Sequence, residues 1–283
     1  MKKKPLIGFI GQGFIGKNYA DDFMRRGYRV VRYALEEPYR KNKEKIRDCD
    51  IVFIAVPTPT TVRGFNARIV EKSIGLVGKG KIAVIKSTIL PGTTVKLQKK
   101  NTGCTVLYSP EFLAEVTAAH DAAHPFSNII GISASTPKHT AAARAVLKVL
   151  PRAPFILICS STEAEIIKYT HNTSGYVQIV LFNMLYDLSK KMGGDWQRIH
   201  EAIKADPLIC NRYAQPVHKS GRGAGGHCFI KDFAALRSLY GKISKDPEGV
   251  RALTAFEEKN KKLLRQSKKD LDLLEGVYGK QKR

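Results

Sequence analysis

The segment 6–16, LIGFIGQGFIG, decides the fold class of this chain. A short apolar run ends in Gly11, Gly13 and Gly16, and an amphipathic stretch follows as far as Gly27. In a strand–turn–helix unit the first glycine permits a tight turn, and the second lets a pyrophosphate approach the backbone. The third lets helix and strand pack closely. The segment therefore predicts a dinucleotide-binding turn at a helix N-terminus, with an ordinary tight βα turn as the alternative.

Short apolar segments separated by polar or amphipathic stretches continue through the first half of the chain. The segments typical of strands are YRVVRYA (28–34), DIVFIAVPTP (50–59), KIAVIKST (81–88), TVLYSP (105–110), NIIGIS (128–133) and PFILICSS (154–161). Continuous Val/Ile runs that alternate with helices indicate a parallel sheet covered on both faces. We predict an α/β fold whose first domain, residues 1–161, is an NAD(P)-binding Rossmann domain.

From Thr162 the pattern changes to a helical period. One long helix is expected over 162–192, ended by two glycines, and a second over 195–205. An irregular glycine-rich segment follows, and then helices over 232–243 and 251–278. The second domain, residues 162–283, is predicted to be a mainly α-helical central domain, with a homodimer formed through its long helix.

Composition excludes several classes of protein. The chain has 283 residues, 43% of them hydrophobic, and a formal net charge of +23. Such a charge favours anionic partners such as nucleotides, but the basic residues are dispersed and no nucleic-acid-binding motif is present. No apolar run is long enough to span a membrane, and no signal-peptide cleavage site follows the basic start. Five cysteines without CxxC spacing argue against zinc or a disulfide framework. We expect a cytoplasmic enzyme without a metal.

The residues after the second strand bear on the choice between NAD and NADP. An acid that binds the ribose hydroxyls is expected about 20 residues after the glycines, where the sequence has Ala34. Arg32 or Arg40 is a candidate ligand for a 2′-phosphate, and Glu36 is a candidate replacement for the acid. The residues alone leave both cofactors open.

Cys228 lies in GAGGHCFIKD, residues 223–232, just before a predicted helix. Glycines before a cysteine let a ligand approach closely. A helix N-terminus beside His227 and Lys231 favours the nucleophilic thiolate. The alternative is a buried cysteine beside a glycine turn.

Five further polar residues are candidates for proton transfer and oxyanion binding. Lys168 and Asn172 lie four apart on the long helix and therefore share a face. Glu111 and Glu115 follow a strand, also four apart, and Thr88 stands where a strand ends. A lysine in an apolar stripe can polarise an oxygen, although a snorkelling surface lysine is the alternative.

Taken in order, these motifs resemble those of the UDP-glucose/GDP-mannose dehydrogenase family of nucleotide-sugar dehydrogenases. The segments that carry the resemblance are GQGFIG (11–16), VPTPT (56–60), STILPGTT (87–94), SPEFLAE (109–115), EAEIIKYTHN (163–172) and GAGGHCFIKD (223–232). It extends over about residues 5–240, and the cysteine segment is its most specific part. Family members oxidise a sugar primary alcohol to a carboxylate with two NAD⁺, and feed polysaccharide synthesis.

The resemblance implies a role for each matching residue. Cys228 would be the nucleophile that forms a thiohemiacetal and then a thioester. The other implied catalytic residues are Lys168, Asn172, Asp232, Glu111 and Thr88. The implied cofactor-binding residues are Gly11, Gln12, Gly13, Phe14, Ile15, Gly16, Arg32, Val56, Pro57, Thr58, Thr88, Glu115 and Lys231. The implied substrate-binding residues are Glu111, Phe112, Leu113, Lys168, Asn172 and Gly225.

The chain departs from the family pattern in three places. Only about fifty residues follow Asp232, which predicts a short form without the C-terminal UDP-binding domain. Ala34 replaces the acid after the second strand. GGHCFIKD replaces the usual GGSCFPKD. Two other functions stay as alternatives: a two-electron 3-hydroxyacid-type dehydrogenase that uses Lys168, and a non-catalytic dinucleotide-binding protein.

Overall fold

A computed structural model describes residues 4–280. They divide into two compact units. The first contains the residues up to Thr58 and Asn66–Lys168, and the second contains Pro59–Phe65 and the residues from Tyr169 onward. The predicted domain boundary at 161/162 falls at the start of the long helix and stays a prediction.

The first unit is built on a seven-stranded sheet within the described residues. Its strands are β1 (Ile7–Ile10), β2 (Val30–Tyr33), β3 (Ile51–Ile54), β6 (Ile82–Ile85), β7 (Thr105–Tyr108), β8 (Ser127–Ile132) and β9 (Phe155–Ser160). Its helices are α1 (Phe14–Arg25), α2 (Arg68–Ile74), α3 (Thr93–Lys100), α4 (Ala118–Ala123) and α5 (Pro137–Val149), with 3-10 turns at Arg40–Asn42 and Glu44–Asp48.

The strand order is β2-β1-β3-β6-β7-β8-β9, so the order reverses between β1 and β3. The predicted strands and the α/β class are confirmed, but the sheet is not wholly parallel. β7 and β8 pair antiparallel, with Leu107 opposite Ile132. Antiparallel neighbours need no crossover helix, so the chain re-enters the sheet from the edge where β7 ends.

Three phenylalanines, from β1, α1 and β3, lie together in the hydrophobic core of the first unit. Phe9 of β1 stacks on Phe53 of β3 with ring centroids 5.1 Å apart, and Phe23 of α1 meets Phe9 edge-on at 5.5 Å. All three side chains are buried. Alternating strand and helix periods therefore place α1 on the face shared by β1 and β3, and this packing fixes the start of α1 beside the end of β1.

The second unit is mainly helical, as expected. Its elements are the hairpin β4 (Thr60–Thr61) and β5 (Gly64–Phe65), α7 (Trp196–Ala205), the hairpin β10 (Val217–His218) and β11 (Gly221–Arg222), α8 (Gly226–Ile243), α9 (Pro247–Gln266) and α10 (Leu271–Tyr278). The unit boundary falls inside α6 (Ser161–Lys191). Its core contains Tyr176 stacked on Phe233 at 3.8 Å.

Two sequence predictions for this unit are wrong. The helix that carries Cys228 begins at Gly226 and not near Asp232, so the cysteine lies in the first turn of α8. The single helix expected over 251–278 is broken between α9 and α10. Lys268 and Asp270 adopt φ values of +56° and +51° there, which a helix does not allow.

Candidate functional site

The glycine turn after β1 is shaped to receive a phosphate. A Cβ added to Gly11, which has φ of +90°, would overlap the carbonyl oxygen of Ala55, and one added to Gly16 would overlap the carbonyl oxygen of Gly11. A Cβ added to Gly13 would meet no atom within 4 Å. Gly13 is the N-cap of α1, and no side chain caps the helix. Two glycines thus build the turn, and the third leaves its backbone open to an anion.

Gln12 adds a second sign that this turn binds a ligand. Its Nε2 donates to the carbonyl of Gly11 at 3.0 Å. Its Oε1 is buried and has no hydrogen-bond partner among the residues described here. Buried polar atoms are normally satisfied, so this oxygen points to a partner supplied from outside the chain. Phe14 and Ile15 are the first two residues of α1.

Further predicted site residues follow the carboxyl ends of β3, β6 and β7. The backbone N–H of Val56, after β3, donates to Ser87 Oγ at 2.9 Å. Thr58 Oγ1 donates to the carbonyl of Thr88, after β6, at 2.7 Å. Ligands of open α/β sheets bind at this edge where the strand order reverses, which here is between β1 and β3. The glycine turn and residues 56–58 flank that point.

Both arginines considered for a 2′-phosphate already have partners within the first unit. Arg32 forms an ion pair with Asp21 of α1. Arg40 Nε donates to the carbonyl of Leu35 at 2.6 Å. Ala34 follows β2 directly and is buried. Each guanidinium group therefore already donates to a partner within the chain.

Lys168, the last residue of the first unit, is buried. It is 4% exposed, its Nζ donates to the carbonyl of Glu111 at 2.5 Å, and it lies 4.0 Å from Glu111 Oε1. The ring of Phe112 is 5.3 Å from Nζ, and Glu111 Oε2 accepts the N–H of Leu113 at 2.9 Å. The snorkelling interpretation of Lys168 is therefore wrong, because a buried ammonium needs these partners.

Glu111 and Glu115 lie four residues apart but do not share a helix. The chain from 109 to 114 is irregular, and it turns at 115–117. Glu111 is buried and Glu115 is exposed. The two carboxylates therefore differ in environment, and only Glu111 belongs to the buried cluster with Lys168.

The second unit contains a second polar cluster, on α6 and α8. Asp232 is 1% exposed and accepts from Asn172 Nδ2 at 2.7 Å and from Lys231 Nζ at 2.5 Å. Cys228 lies one helical turn before Asp232 and is exposed, so the alternative of a buried cysteine is wrong. Gly225 is the N-cap of α8.

The structure brings the predicted residues together in two sets. The first contains Lys168, Glu111, Phe112 and Leu113, and the second contains Asn172, Asp232 and Lys231. Among residues 4–280, no three His, Cys, Asp or Glu side chains form a group able to hold a metal ion. Over the same range, no helix combines the length and the apolarity that crossing a membrane requires.

Two models of one protein family match the chain. Residues 34–150 match the NAD binding domain of the UDP-glucose/GDP-mannose dehydrogenase family, and residues 162–262 match its central domain. Together the two segments cover more than half of the chain. This chain belongs to the UDP-glucose/GDP-mannose dehydrogenase family. Its first unit is therefore an NAD-binding domain, in agreement with the open glycine turn.

Relatives and solved structures agree with this assignment. The UDP-glucose 6-dehydrogenase YwqF of Bacillus subtilis is 27% identical over 92% of this chain and 59% of its own length. The UDP-glucose 6-dehydrogenase of Rickettsia conorii is 27% identical over 77% of this chain and 50% of its own. The chain thus spans little more than half the length of these relatives.

A UDP-glucose dehydrogenase structure from Pyrobaculum islandicum superposes with a TM-score of 0.76 at 25% identity, covering 90% of this chain and 68% of that one. A 3-hydroxyisobutyrate dehydrogenase from Mycobacterium tuberculosis superposes at 0.73 over 97% of this chain and 98% of that one. At 16% identity, the second likeness shows the fold alone.

Sequence reasoning missed Lys86, a second buried lysine in the NAD-binding domain. It is 3% exposed, its Nζ lies 3.2 Å from Ser109 Oγ, and the ring of Tyr19 is 4.4 Å away. Burial lowers the pKa of Lys86 to about 8. The nearby Glu111 carboxylate opposes this shift, and the Lys168 ammonium adds to it. The signal was a lysine inside the apolar run KIAVIKST.

Replacing Lys86 by methionine is expected to stabilise the fold near pH 7. At this pH the buried Lys86 ammonium carries a positive charge, which is costly to remove from water, and methionine carries none. Because the folded-state pKa is depressed, the unfolded chain binds the extra proton between about pH 8 and 10.5. The contribution of Lys86 to wild-type stability therefore rises with pH across this interval. The wild type should regain about 3 kcal/mol relative to the variant. Urea unfolding of both proteins across this range measures the difference.

The matched control for this prediction is Lys99→Met, which removes an exposed lysine from α3. Its stability difference from the wild type should not change with pH between about 7 and 10.5, because this side chain is exposed to water in the folded protein as it is in the unfolded chain. A Lys86→Met difference that is equally flat would contradict the burial of a charge at this position.

Glu165 of α6 is the second residue that sequence reasoning missed. It is fully buried and accepts the N–H groups of Gly92 at 2.6 Å and Thr94 at 2.8 Å, and the Thr94 hydroxyl at 2.6 Å. Gly92 is the N-cap of α3 and has no side chain to cap it. Burial raises the pKa of Glu165, and these bonds oppose the rise. Glu165 therefore fixes the start of α3 and the loop after Thr88.

Proposed function

We propose that this chain oxidises the primary alcohol of a UDP-glucose-like nucleotide sugar to the uronic acid, through a covalent adduct on Cys228. The observation that carries the proposal is an exposed cysteine in the first turn of α8, one turn before the buried Asp232–Asn172 pair. Membership of a family that includes UDP-glucose and GDP-mannose dehydrogenases supports the substrate class. We also propose that the oxidised nucleotide sugar is a precursor of polysaccharides and that it is formed in the cytoplasm.

The covalent step explains why such an enzyme uses a cysteine. The first oxidation turns the alcohol into an aldehyde, and the Cys228 sulfur adds to its carbon to give a thiohemiacetal. The second oxidation removes a hydride from that carbon and a proton from its hydroxyl, leaving a thioester. Water then releases the carboxylate and returns the thiol. Covalent capture keeps the reactive aldehyde bound between the two oxidations.

When bound, NAD⁺ supplies the hydride acceptor for both oxidations, so one sugar consumes two NAD⁺. The proposed cofactor-binding residues form the glycine turn and the loops that follow the strands: 11–16, Arg32, 56–58, Thr88, Glu115 and Lys231. Because Arg32 is paired with Asp21, we propose that NAD⁺ and not NADP⁺ is used.

The buried charges have separate proposed roles. The Lys168 ammonium stabilises the oxyanion that develops on the reacting carbon. Asp232 orients Asn172 through their hydrogen bond, so that the amide is directed toward the substrate hydroxyl from which this oxyanion develops. Glu111 and Thr88 orient the water that hydrolyses the thioester. Phe112, Leu113 and Gly225 contact the sugar.

The number of NADH molecules formed per sugar tests the proposal. Purified protein receives excess NAD⁺ and limiting UDP-glucose, and the assay is repeated with other nucleotide sugars and with NADP⁺. Two NADH per sugar supports the four-electron route. One NADH supports a two-electron oxidation of the 3-hydroxyacid type. No NADH with any nucleotide sugar would overturn the substrate class.

Homodimerisation through α6 is a further part of the proposal. The second-unit part of this helix exposes a stripe of apolar side chains at helical spacing: Leu181, Met184, Leu185 and Leu188. Such a stripe costs free energy in water, and a second copy of the same helix covers it symmetrically.

The double variant Leu185→Glu, Leu188→Glu is expected to be monomeric at micromolar concentration, whereas the wild type is a dimer. Two carboxylates within a buried apolar stripe cannot be solvated, so association fails. Size-exclusion chromatography with light scattering measures the mass. Lys190→Glu, which adds a carboxylate elsewhere on α6, should leave the dimer intact. A dimeric double variant would place the interface elsewhere.

A further inference from the structure

The segment between α9 and α10, which the sequence predicts to be helical, forms hydrogen bonds to the residues before Cys228. We call residues 222–226 the cysteine loop and residues 267–270, which join α9 to α10, the linker. Ser267 Oγ accepts the N–H of Arg222 at 3.0 Å. Lys269 Nζ donates to the carbonyl of Gly223 at 3.0 Å, and Asp270 Oδ2 accepts the N–H of Gly226 at 2.7 Å.

Asn260 of α9 completes this set of bonds. Its Oδ1 accepts the N–H of Ala224 at 2.7 Å, and its Nδ2 donates to the Ala224 carbonyl at 3.0 Å. A Cβ on Gly225 would overlap Asp270 Oδ2, so the glycine is needed for the linker to approach. Each cysteine-loop residue is therefore bonded to or closely packed against Asn260 or the linker.

The linker also brings two opposite charges to the start of α8. Lys269 is 6% exposed, and burial lowers its pKa, with the neighbouring Asp270 opposing the shift. The Asp270 carboxylate binds the first N–H of α8, where the helix dipole favours a negative charge. A thiolate on Cys228, two residues later, is favoured by the same dipole. Two anions at one helix terminus oppose each other.

We propose that Asp270 is a positioning residue for Cys228: its carboxylate fixes the first turn of α8, and its charge limits how readily the thiol ionises. Lys269 acts in the opposite sense, since its ammonium favours a nearby thiolate. The linker follows the segment that matches the family's central domain, which ends at residue 262. The inference rests on the proposed function only in treating Cys228 as the nucleophile.

Other charged or titratable groups surround this helix start. On the cysteine loop, on α8, and on the hairpin β10–β11 and its turn, they are Arg222, His218, Lys219, His227, Lys231 and Asp232. All of them stay in place when Asp270 or Lys269 is exchanged for an uncharged residue. A change in thiol reactivity in those variants therefore comes from the exchanged linker residue and not from the loss of any of these groups.

Alkylation of Cys228 by iodoacetamide measures thiol reactivity without any turnover. The rate is followed from about pH 6 to 10 by mass spectrometry of the peptide that contains Cys228. Cys210 is exposed and serves as an internal reference. Burial raises the pKa of Cys49 to about 12 and of Cys159 to about 11, so these thiols react slowly.

Asp270→Asn keeps an oxygen for the Gly226 N–H and removes the charge. We expect it to speed alkylation of Cys228 about two- to tenfold at pH 7 and to shift the rate profile to lower pH. Lys269→Gln should slow alkylation by a similar factor. The matched control Asp272→Asn removes an exposed carboxylate two residues away and should leave the profile unchanged.

Opposite shifts in the two linker variants would support the proposal, because a merely loosened loop would move both rates in the same direction. Two profiles that match the wild type, or that shift together, would overturn it. Circular dichroism checks that each variant is folded. Since the assay uses neither nucleotide sugar nor NAD⁺, its outcome is independent of whether the proposed oxidation is correct.

Discussion

Replacing Cys228 by alanine is expected to abolish the second oxidation and to lower uronic acid formation by about 10³-fold or more. Without the sulfur, the aldehyde cannot form a thiohemiacetal, and no thioester precedes the carboxylate. The yield of NADH should fall from two per sugar to at most one. Absorbance of NADH with limiting UDP-glucose and mass spectrometry of the product measure both quantities.

Cys210→Ala is the matched control, because Cys210 is the other exposed cysteine among residues 4–280. It should retain two NADH per sugar. A Cys228→Ala protein that still forms two NADH per sugar would refute the covalent route. An unchanged yield of one NADH in both proteins would favour a two-electron dehydrogenase that uses Lys168.

Replacing Lys168 by methionine is expected to lower kcat by about 10²- to 10³-fold, the usual cost of removing one donor to a developing oxyanion. The ammonium is buried and bonded to the Glu111 carbonyl, and a methionine side chain offers no donor in its place. Lys86 keeps a positive charge near Glu111, and we therefore expect the variant to fold. Steady-state kinetics, with circular dichroism as a check on folding, measures the effect.

Lys191→Met provides the control, since it removes an exposed lysine from the same helix. Its kcat should equal that of the wild type. If Lys168→Met retained more than about a tenth of wild-type kcat, Lys168 would be a structural partner of Glu111 and not an oxyanion donor.

Much of the NAD-binding domain was predictable because its constraints are local. The glycine turn appears in the sequence as GQGFIG, since positive φ at Gly11 and the close approaches at Gly11 and Gly16 exclude other residues. Strand runs such as IVFI at 51–54 are fully buried and read directly as parallel-sheet strands. The identity of Cys228 as a candidate nucleophile came from the same kind of local signal, namely glycines before a helix start.

Other features depend on which distant segments of the chain pack against each other, and no local sequence pattern specifies this packing. A lysine in an apolar run predicts either a surface or a buried position, and only packing against Tyr19 and Ser109 buries Lys86. The antiparallel pairing of β8 depends on which side of β7 the chain re-enters. In the same way, Glu111 and Glu115 have a helical spacing without a helix.

The sequence by itself determined the strand–turn–helix unit, the helical second half and the reactive side chains, because backbone sterics and residue periodicity act over a few neighbouring positions. Only the tertiary structure decided that the 267–270 linker leaves the helix and bonds to the cysteine loop about 45 residues earlier in the chain. Such long-range hydrogen bonds outweigh local helix propensity, since they satisfy backbone groups that the cysteine loop cannot satisfy itself.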